Sequence, residues 1–234
     1  MQPMPEDWNR AVAVVAHPDD LEYGVAAAIA RWTRQGKKVS YLLATHGEAG
    51  IAGMAPDATA PLREAEEHRS AGVVGVSEVE FLSHPDGLVE YGLPLRRDLA
   101  TAFRRLRPDV VITTSFDLTW GEEGPVNHAD HRVVGMAVLD ACRDAANEWV
   151  FPEAGPRCDT IKDAYVAFPG EPTHFVDVTD TIDLGIASLR EHQAYLDGLG
   201  RDFDPDEFLR NMAGYVGMAA GCEYALGLRR YPMG

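Results

Sequence analysis

The segment with the clearest chemical character is residues 16–22, which reads Ala-His-Pro-Asp-Asp-Leu-Glu. It ends an apolar run, residues 11–16, that predicts a buried strand. A histidine and two adjacent carboxylates at such a strand end must be paired or must hold a cation, because an isolated buried charge is costly. His17 and Asp20 are spaced to bind one metal ion, and Asp19 lies between them as a candidate general base.

A second group of potential ligands lies at residues 127–131, which read Asn-His-Ala-Asp-His. A catalytic zinc commonly has three protein ligands and one open position for water. On a helix that begins here, His128 and His131 share a face, so one could bind metal while the other faces a substrate. Asp130 could fix a histidine tautomer by accepting a hydrogen bond from the ring nitrogen that does not bind the metal. Zinc is the expected metal, and a set of two histidines and one aspartate also accepts Fe(II), Co(II) or Mn(II).

The elements that must position these residues alternate along the chain. Strands are predicted at 10–16, 38–45, 79–82, 109–114, 162–168 and 174–178. Helices are predicted at 21–35, 60–74, 94–107, 129–147, 179–196 and 205–217. This alternation predicts an α/β fold, a Rossmann-like three-layer α/β/α domain with a mostly parallel sheet, as a single domain over residues 1–234.

The active site of this fold is expected at the carboxyl ends of the strands, where such sheets bind ligands. His17, loop 45–50, segment 84–87 and loop 115–131 each follow a predicted strand. We therefore expect all four to meet at one rim of the sheet.

The remaining histidines give weaker signals. His46 and His84 lie on the same rim, and we interpret both as spectators or pocket lining. His68, His174 and His192 have no useful arrangement with carboxylates in the sequence, so we expect them to be structural.

Taken together, these motifs resemble those of the LmbE-like, or PIG-L, family of N-deacetylases. Residues 16–22 resemble its AHPDDxE signature, residues 45–50 (Thr-His-Gly-Glu-Ala-Gly) its TxGExG loop, and residues 128–131 its HxDH motif. Residues 82–87 resemble the segment that ends in the family's Asp-Gly. The resemblance runs from about residue 10 to residue 131 and continues weakly beyond. Several spaced motifs in the same order make it specific.

This resemblance implies roles for individual residues. It implies zinc bound by His17, Asp20 and His131, with Asp19 as general base. It implies that His128 stabilises the oxyanion or protonates the leaving amine.

The resemblance also suggests that Glu48, Arg63 and Asp86 line the substrate pocket. From the residues alone, Arg63 would pair with a glutamate on its own helix. Asp86, which precedes a glycine, would stabilise a turn. The tail departs from the family pattern. Where the family often ends in an Ala-Glu-x-Phe-like stretch, residues 222–226 read Cys-Glu-Tyr-Ala-Leu.

The chemistry that fits these roles is amide hydrolysis. Zinc lowers the pKa of a bound water to about 7 and polarises an acyl oxygen. Asp19 would accept the proton of that water, and His128, oriented by Asp130, would donate to the oxyanion. The sequence therefore predicts a zinc-dependent enzyme that removes an N-acyl group, expected to be acetyl, from an amino sugar or its conjugate.

Composition narrows the expected partners and location. The 21 Lys+Arg against 37 Asp+Glu give a net charge of −16, which disfavours nucleic acid and anionic membranes as partners. The three cysteines lack CxxC spacing and read as reduced thiols of a cytoplasmic protein. The N-terminal residues lack a signal-peptide pattern, and no apolar run approaches a membrane span. A small N-acylated sugar is the expected partner, with a homo-oligomer left open.

Other functions remain open at this point. Within enzymes, the chain could be an amidase for a larger thiol-sugar conjugate, of mycothiol type, or a deacetylase that tailors a glycosylated natural product. A nucleotide-binding module would need a glycine-rich turn after the first long strand, where residues 17–20 instead place acids that repel phosphate. A metal-binding protein without catalysis would have a closed fourth coordination position.

Overall fold

The protein is described here by a computed structural model that covers residues 1–121, 123–199 and 203–234. The strands in these residues are β1 (Gln2–Pro3), β2 (Arg10–Val15), β3 (Lys38–Leu43), β4 (Glu78–Phe81), β5 (Val110–Thr114), β6 (Asp163–Ala167), β7 (His174–Asp177) and β8 (Ala225–Pro232). The α-helices are α1 (Asp20–Gly24), α2 (Ala26–Arg34), α3 (Pro56–Val73), α4 (Leu93–Leu106), α5 (Ala129–Ala146), α6 (Ile182–Arg190), α7 (Gln193–Gly198) and α8 (Pro205–Ala220).

The strands of the described residues form one mixed sheet in the order β1-β7-β8-β6-β5-β2-β3-β4. Neighbouring strands pair in parallel except at β8, which runs antiparallel between β6 and β7. The α/β fold and the mostly parallel sheet predicted from the sequence are confirmed.

Strand β2 divides the core, because successive side chains of a strand point to opposite faces. The odd-numbered residues 11–15 join a cluster with apolar residues of α1, α2, α3, α6 and α8. The even-numbered residues 12–16 join a second cluster with α4 and α5. Apolar side chains on both faces of the sheet explain the continuous apolar run of β2 and confirm the three layers.

Two predicted helices are interrupted in the structure. The helix predicted at 21–35 is divided between α1 and α2 by Val25, whose backbone has φ −137° and ψ 0°. The helix predicted at 179–196 begins at Ile182 and is divided after Arg190, where His192 takes φ −83° and ψ 50°. This second break turns the His192 side chain into the interior, where it is fully buried.

Strands β1 and β8 were not predicted. The sequence of β8, Ala-Leu-Gly-Leu-Arg-Arg-Tyr-Pro, contains a glycine and two arginines in place of an apolar run. Because β8 pairs on both edges, its backbone hydrogen bonds fix it in the sheet despite this composition. The atypical tail at 222–226 therefore leads into an internal strand.

The direction of the chain places the functional motifs at one end of the sheet. Strand β2 pairs with β3 on one side and with β5 on the other, so the strand order reverses beside β2. The loops that follow β2, β3, β4 and β5 leave the sheet at this carboxyl rim, where ligands of such sheets bind.

Two further expectations can be compared with the structure. No helix in the described part of the chain combines the length and apolar character needed to cross a bilayer. Cys142, Cys158 and Cys222 carry free thiols, and Cys142 and Cys158 are buried. Assignment of all 234 residues to one domain stays a prediction.

The crossing of α2 and α6 gives a test of packing. A Cβ at Gly185 would lie 2.9 Å from Ala27 Cβ and 3.0 Å from the Ala27 backbone nitrogen, whereas the nearest atom to a Cβ at Gly214 lies 4.0 Å away. We expect Gly185→Ala to lower the free energy of unfolding by about 1–3 kcal/mol through overpacking. Gly214→Ala, the matched control in α8, should raise it by up to about 1 kcal/mol through helix propensity. Urea unfolding of both variants checks this; equal stabilisation would contradict the close crossing.

Candidate active site

Three predicted metal ligands converge at the end of β2. His17 Nδ1 lies 3.2 Å from His131 Nε2. Asp20 Oδ1 lies 2.9 Å from His131 Nε2, and Asp20 Oδ2 lies 3.6 Å from His17 Nδ1. Donor atoms bound at 2.0–2.2 Å to a tetrahedral zinc are about 3.4 Å apart. The two nitrogens and the carboxylate therefore fit one small divalent cation.

The far side of each histidine is held by another side chain. His17 Nε2 lies 3.0 Å from Asp86 Oδ1 and 3.1 Å from Asp130 Oδ2. His131 Nδ1 lies 3.0 Å from Asn127 Oδ1. Since an acceptor on one ring nitrogen fixes the tautomer, it leaves the opposite nitrogen free to bind a metal. His17 Nδ1 and His131 Nε2 are thus the ring nitrogens that could bind a cation.

The charges of these groups balance one another. Burial lowers the pKa of His17, but hydrogen bonds to the surrounding carboxylates, first of all Asp130, outweigh it and hold that pKa well above its usual range. Burial raises the pKa of Asp20, but the charge and hydrogen bond of His131 hold it well below its usual range. A cation that binds here would displace the proton of His17 and meet an anionic Asp20.

Asp19 lies beside this donor set and is only 4% exposed. Its backbone has φ 86° and ψ −23°, in the left-handed region that non-glycine residues rarely adopt. Its Oδ2 lies 3.2 Å from Arg63 Nη2. Burial raises the pKa of Asp19 to about 6, against the opposing charge of Arg63. Such a carboxyl is suited to accept a proton near neutral pH.

Arg63, predicted to line the substrate pocket, is 2% exposed and contacts protein groups. Besides Asp19, its guanidinium donates to the carbonyl oxygens of Pro18 and Gly47, and it lies 4.4 Å from the ring centre of Tyr195. Helix α3 thus places the buried guanidinium of Arg63 beside Asp19, the candidate base.

Glycines of loop 45–50 make room for this arginine. A Cβ at Gly47, which has φ +66°, would lie 2.9 Å from Arg63 Nη1, and one at Gly50 would overlap the same nitrogen. The glycines of the TxGExG-like loop are required by the approach of the guanidinium.

His128 and Asp130 differ from the predicted arrangement. One ring nitrogen of His128 comes within 4.8 Å of donor atoms of His17 and His131, and its ring stacks on His131 at 4.9 Å. Within the described residues, however, no hydrogen bond joins Asp130 to His128. His128 precedes α5 with an extended backbone, while Asp130 lies in the first turn and points to His17. Asp130 therefore orients His17, not His128 as expected.

Glu48 and Asp86, the other predicted pocket residues, join two loops to each other and to His17. Glu48 Oε1 accepts a hydrogen bond from the Asp86 backbone, and Asp86 Oδ2 accepts one from the Ala49 backbone. With its other oxygen Asp86 contacts His17. Substrate binding by Glu48, Arg63 and Asp86 stays a prediction.

Several residues at the site had no signal in the sequence. Asn127 precedes the HxDH-like motif, and only the structure shows its contact with His131. Trp120 lies in loop 115–127, of which Glu122 is outside the described residues, and its ring centre is 5.7 Å from that of His131. His192, expected to be merely structural, lies 3.7 Å from carboxylates of Glu22 and Glu67.

The two other histidines of the rim have partners outside the donor set. His46 contacts Glu64, and His84 contacts Asp98.

Comparison with known families agrees with this geometry. A family described as PIG-L, GlcNAc-PI de-N-acetylase, matches residues 12–142. The chain belongs to this family, and the resemblance drawn from its motifs is confirmed.

Individual relatives include deacetylases of N-acetylated sugars. The diacetylchitobiose deacetylase of Thermococcus kodakarensis is 28% identical, over 97% of this chain and 84% of the relative. The 1D-myo-inositol 2-acetamido-2-deoxy-alpha-D-glucopyranoside deacetylase of Kineococcus radiotolerans is 31% identical, over 79% of this chain and 68% of the relative. The structure of N,N'-diacetylchitobiose deacetylase from Pyrococcus horikoshii superposes with a TM-score of 0.87 at 24% identity, covering 97% and 85% of the two chains. This structural match shows that the two proteins share a fold.

The contact of Asn127 with His131 gives a test of the donor geometry. We expect Asn127→Ala to weaken zinc binding by about 10–100-fold, because groups that orient a ligand contribute this much to metal affinity. Competition with a chromophoric chelator measures the affinity. Asn211→Ala, at an exposed position of α8, is the control and should bind zinc as the unmodified protein does. An unchanged affinity in the folded Asn127 variant would show that this contact does not orient His131.

Proposed function

We propose that the protein is a zinc-dependent N-deacetylase that acts on an N-acetylated amino sugar or its conjugate. The observation that carries this proposal is the grouping of His17, Asp20 and His131 around one point, with Asp19 next to them. Family membership supports the reaction class, and the names of the relatives support the sugar. These three residues would hold the metal.

The proposed mechanism uses side chains that are already in place. Zinc, when bound, supplies a Lewis acid for the acyl oxygen and lowers the pKa of water. The Asp19 carboxylate, held by Arg63, accepts the proton of the attacking water. It then has a proton to return to the leaving amine as the C–N bond breaks, which yields acetate and a free amino sugar. His128, exposed at the mouth, donates a hydrogen bond to the developing oxyanion.

Zinc suits a donor set of two nitrogens and a carboxylate, and Fe(II) suits the same set. We propose that Glu48, Arg63 and Asp86 shape the pocket, since all three lie on the loops or helix that surround Asp19 and His17. A cytoplasmic location and a homo-oligomer stay predictions.

Asp19→Asn tests the general base. The amide is nearly the same size and cannot accept the proton, so we expect kcat to fall by about 10²–10⁴-fold while zinc remains bound in a 1:1 ratio. Metal analysis and steady-state kinetics on the same sample measure both quantities. Near-normal turnover in this variant would exclude Asp19 as the base.

The substrate class and the metal requirement can be tested together. The zinc-loaded protein is incubated with N-acetylglucosamine, diacetylchitobiose, an N-acetylglucosaminyl-inositol, a thiol-sugar conjugate and an N-acylated glycosylated natural product, and both amine and acetate release are measured. We expect equal amounts of both products, loss of activity with a chelator, and recovery with zinc. A free cysteinyl product from a thiol-sugar conjugate would instead identify an amidase, and activity only on glycosylated natural products a tailoring enzyme. A protein that contains no metal and is unaffected by chelator would overturn the proposal.

A further inference from the structure

Next to Asp19 lies a buried cluster of ionisable residues. Glu22, Glu67 and His192 are at most 2% exposed, and one potential ligand atom from each lies within 4.8 Å of the others. Ser70 donates a hydrogen bond to Glu22. The proposed reaction does not use any of these side chains, although burying ionisable groups costs free energy unless they are paired or hydrogen-bonded.

A side chain of this cluster is linked to the active site by a hydrogen bond. The backbone N–H of Asp19 donates to Glu67 Oε2 at 3.2 Å. The other oxygen of Glu67 is buried and has no hydrogen-bond partner among the described residues. Glu67 is therefore oriented by its contact with Asp19 and by the surrounding packing.

The backbone of Asp19 needs such support. A left-handed conformation is sterically unfavourable for a non-glycine residue, and it persists only where the surroundings determine it. The Asp19 carbonyl oxygen is already held, because it accepts the N–H groups of Glu22 and Tyr23. Without Glu67 the buried N–H of Asp19 would lack its acceptor.

Helix α3 holds both ends of Asp19 from one face. Arg63 and Glu67 are four residues apart, so their side chains lie on the same side of the helix. Arg63 contacts the carboxylate of Asp19, and Glu67 accepts its amide proton. The neighbouring Glu66 points elsewhere and accepts the backbone N–H of Ala194.

We propose that Glu67 is a positioning residue, whose carboxyl oxygen fixes the left-handed backbone of Asp19 and so aims the Asp19 carboxylate at the reacting water. The inference rests on the proposed function, in which Asp19 is the base. Burial and the charge of Glu22 raise the pKa of Glu67 well above its usual range, which agrees with a role as a hydrogen-bond acceptor that needs no charge.

Two substitutions of Glu67 separate the acceptor from the charge. Glu67→Gln keeps a carbonyl oxygen for the Asp19 N–H, so we expect kcat within about 3-fold of the unmodified enzyme. Glu67→Met keeps the size but removes the acceptor. A catalytic group displaced by about 1 Å costs about 10²-fold in rate, so we expect this loss in kcat with KM and bound zinc nearly unchanged.

The control is a buried carboxylate far from the site. Asp144, near the end of α5, is 6% exposed and pairs with Arg96 at 2.8 Å. Asp144→Asn should reduce stability while kcat per folded molecule is retained. This comparison separates a general loss of stability from a specific loss of positioning.

A measurement without turnover completes the test. In the metal-free protein, the Asp19 amide should exchange with deuterium slowly in the unmodified and Glu67→Gln forms and at least 10-fold faster in Glu67→Met, as followed by NMR. Wild-type kcat together with slow exchange in Glu67→Met would overturn the inference. If Glu67→Met does not fold, Glu67→Asp is used instead, because its side chain is one methylene shorter and withdraws the acceptor from the Asp19 N–H. The same kcat and exchange criteria then apply. If the unmodified protein has no deacetylase activity, the proposed function fails and exchange alone decides the backbone role of Glu67.

Discussion

The rest of the active site depends on the cost of placing His17, Asp19 and Asp20 at the end of a buried strand. Charged groups at such a position lose water and must find partners in the protein. The structure supplies a carboxylate pair for His17, a histidine for Asp20 and an arginine for Asp19. The loop after β4, helix α5 and helix α3 thus each contribute a partner to one of these three residues.

These partners also fix the loops that carry them. Asp130 accepts the backbone N–H groups of Gly87 and Val89 while it contacts His17. Helix α5 and the loop after β4 are therefore held together at the histidine. Because α5 also carries His131, its position determines the separation between His17 Nδ1 and His131 Nε2.

Much of this arrangement could be predicted from the sequence because its signals are local. Apolar runs and helical spacing identify β2 to β7 and the main helices, and the motifs identify the donor set. The orientation of Asp130 toward His17, and the burial of His192 between two glutamates, depend on contacts between residues more than 100 positions apart. Strand β8 is fixed by pairing on both edges, which its own residues do not reveal. Such long-range contacts leave no pattern in a single sequence.

The two oxygens of Asp86 connect His17 to the glycine-containing loop. One oxygen contacts the far nitrogen of His17, and the other accepts the N–H of Ala49 in the glycine-containing loop. In the proposed enzyme, a molecule that competes for Asp86 would change the electron density at His17 Nδ1. By thermodynamic reciprocity, binding of the cation would then alter the affinity for that molecule by the same factor. Metal occupancy and substrate affinity would therefore be coupled through Asp86.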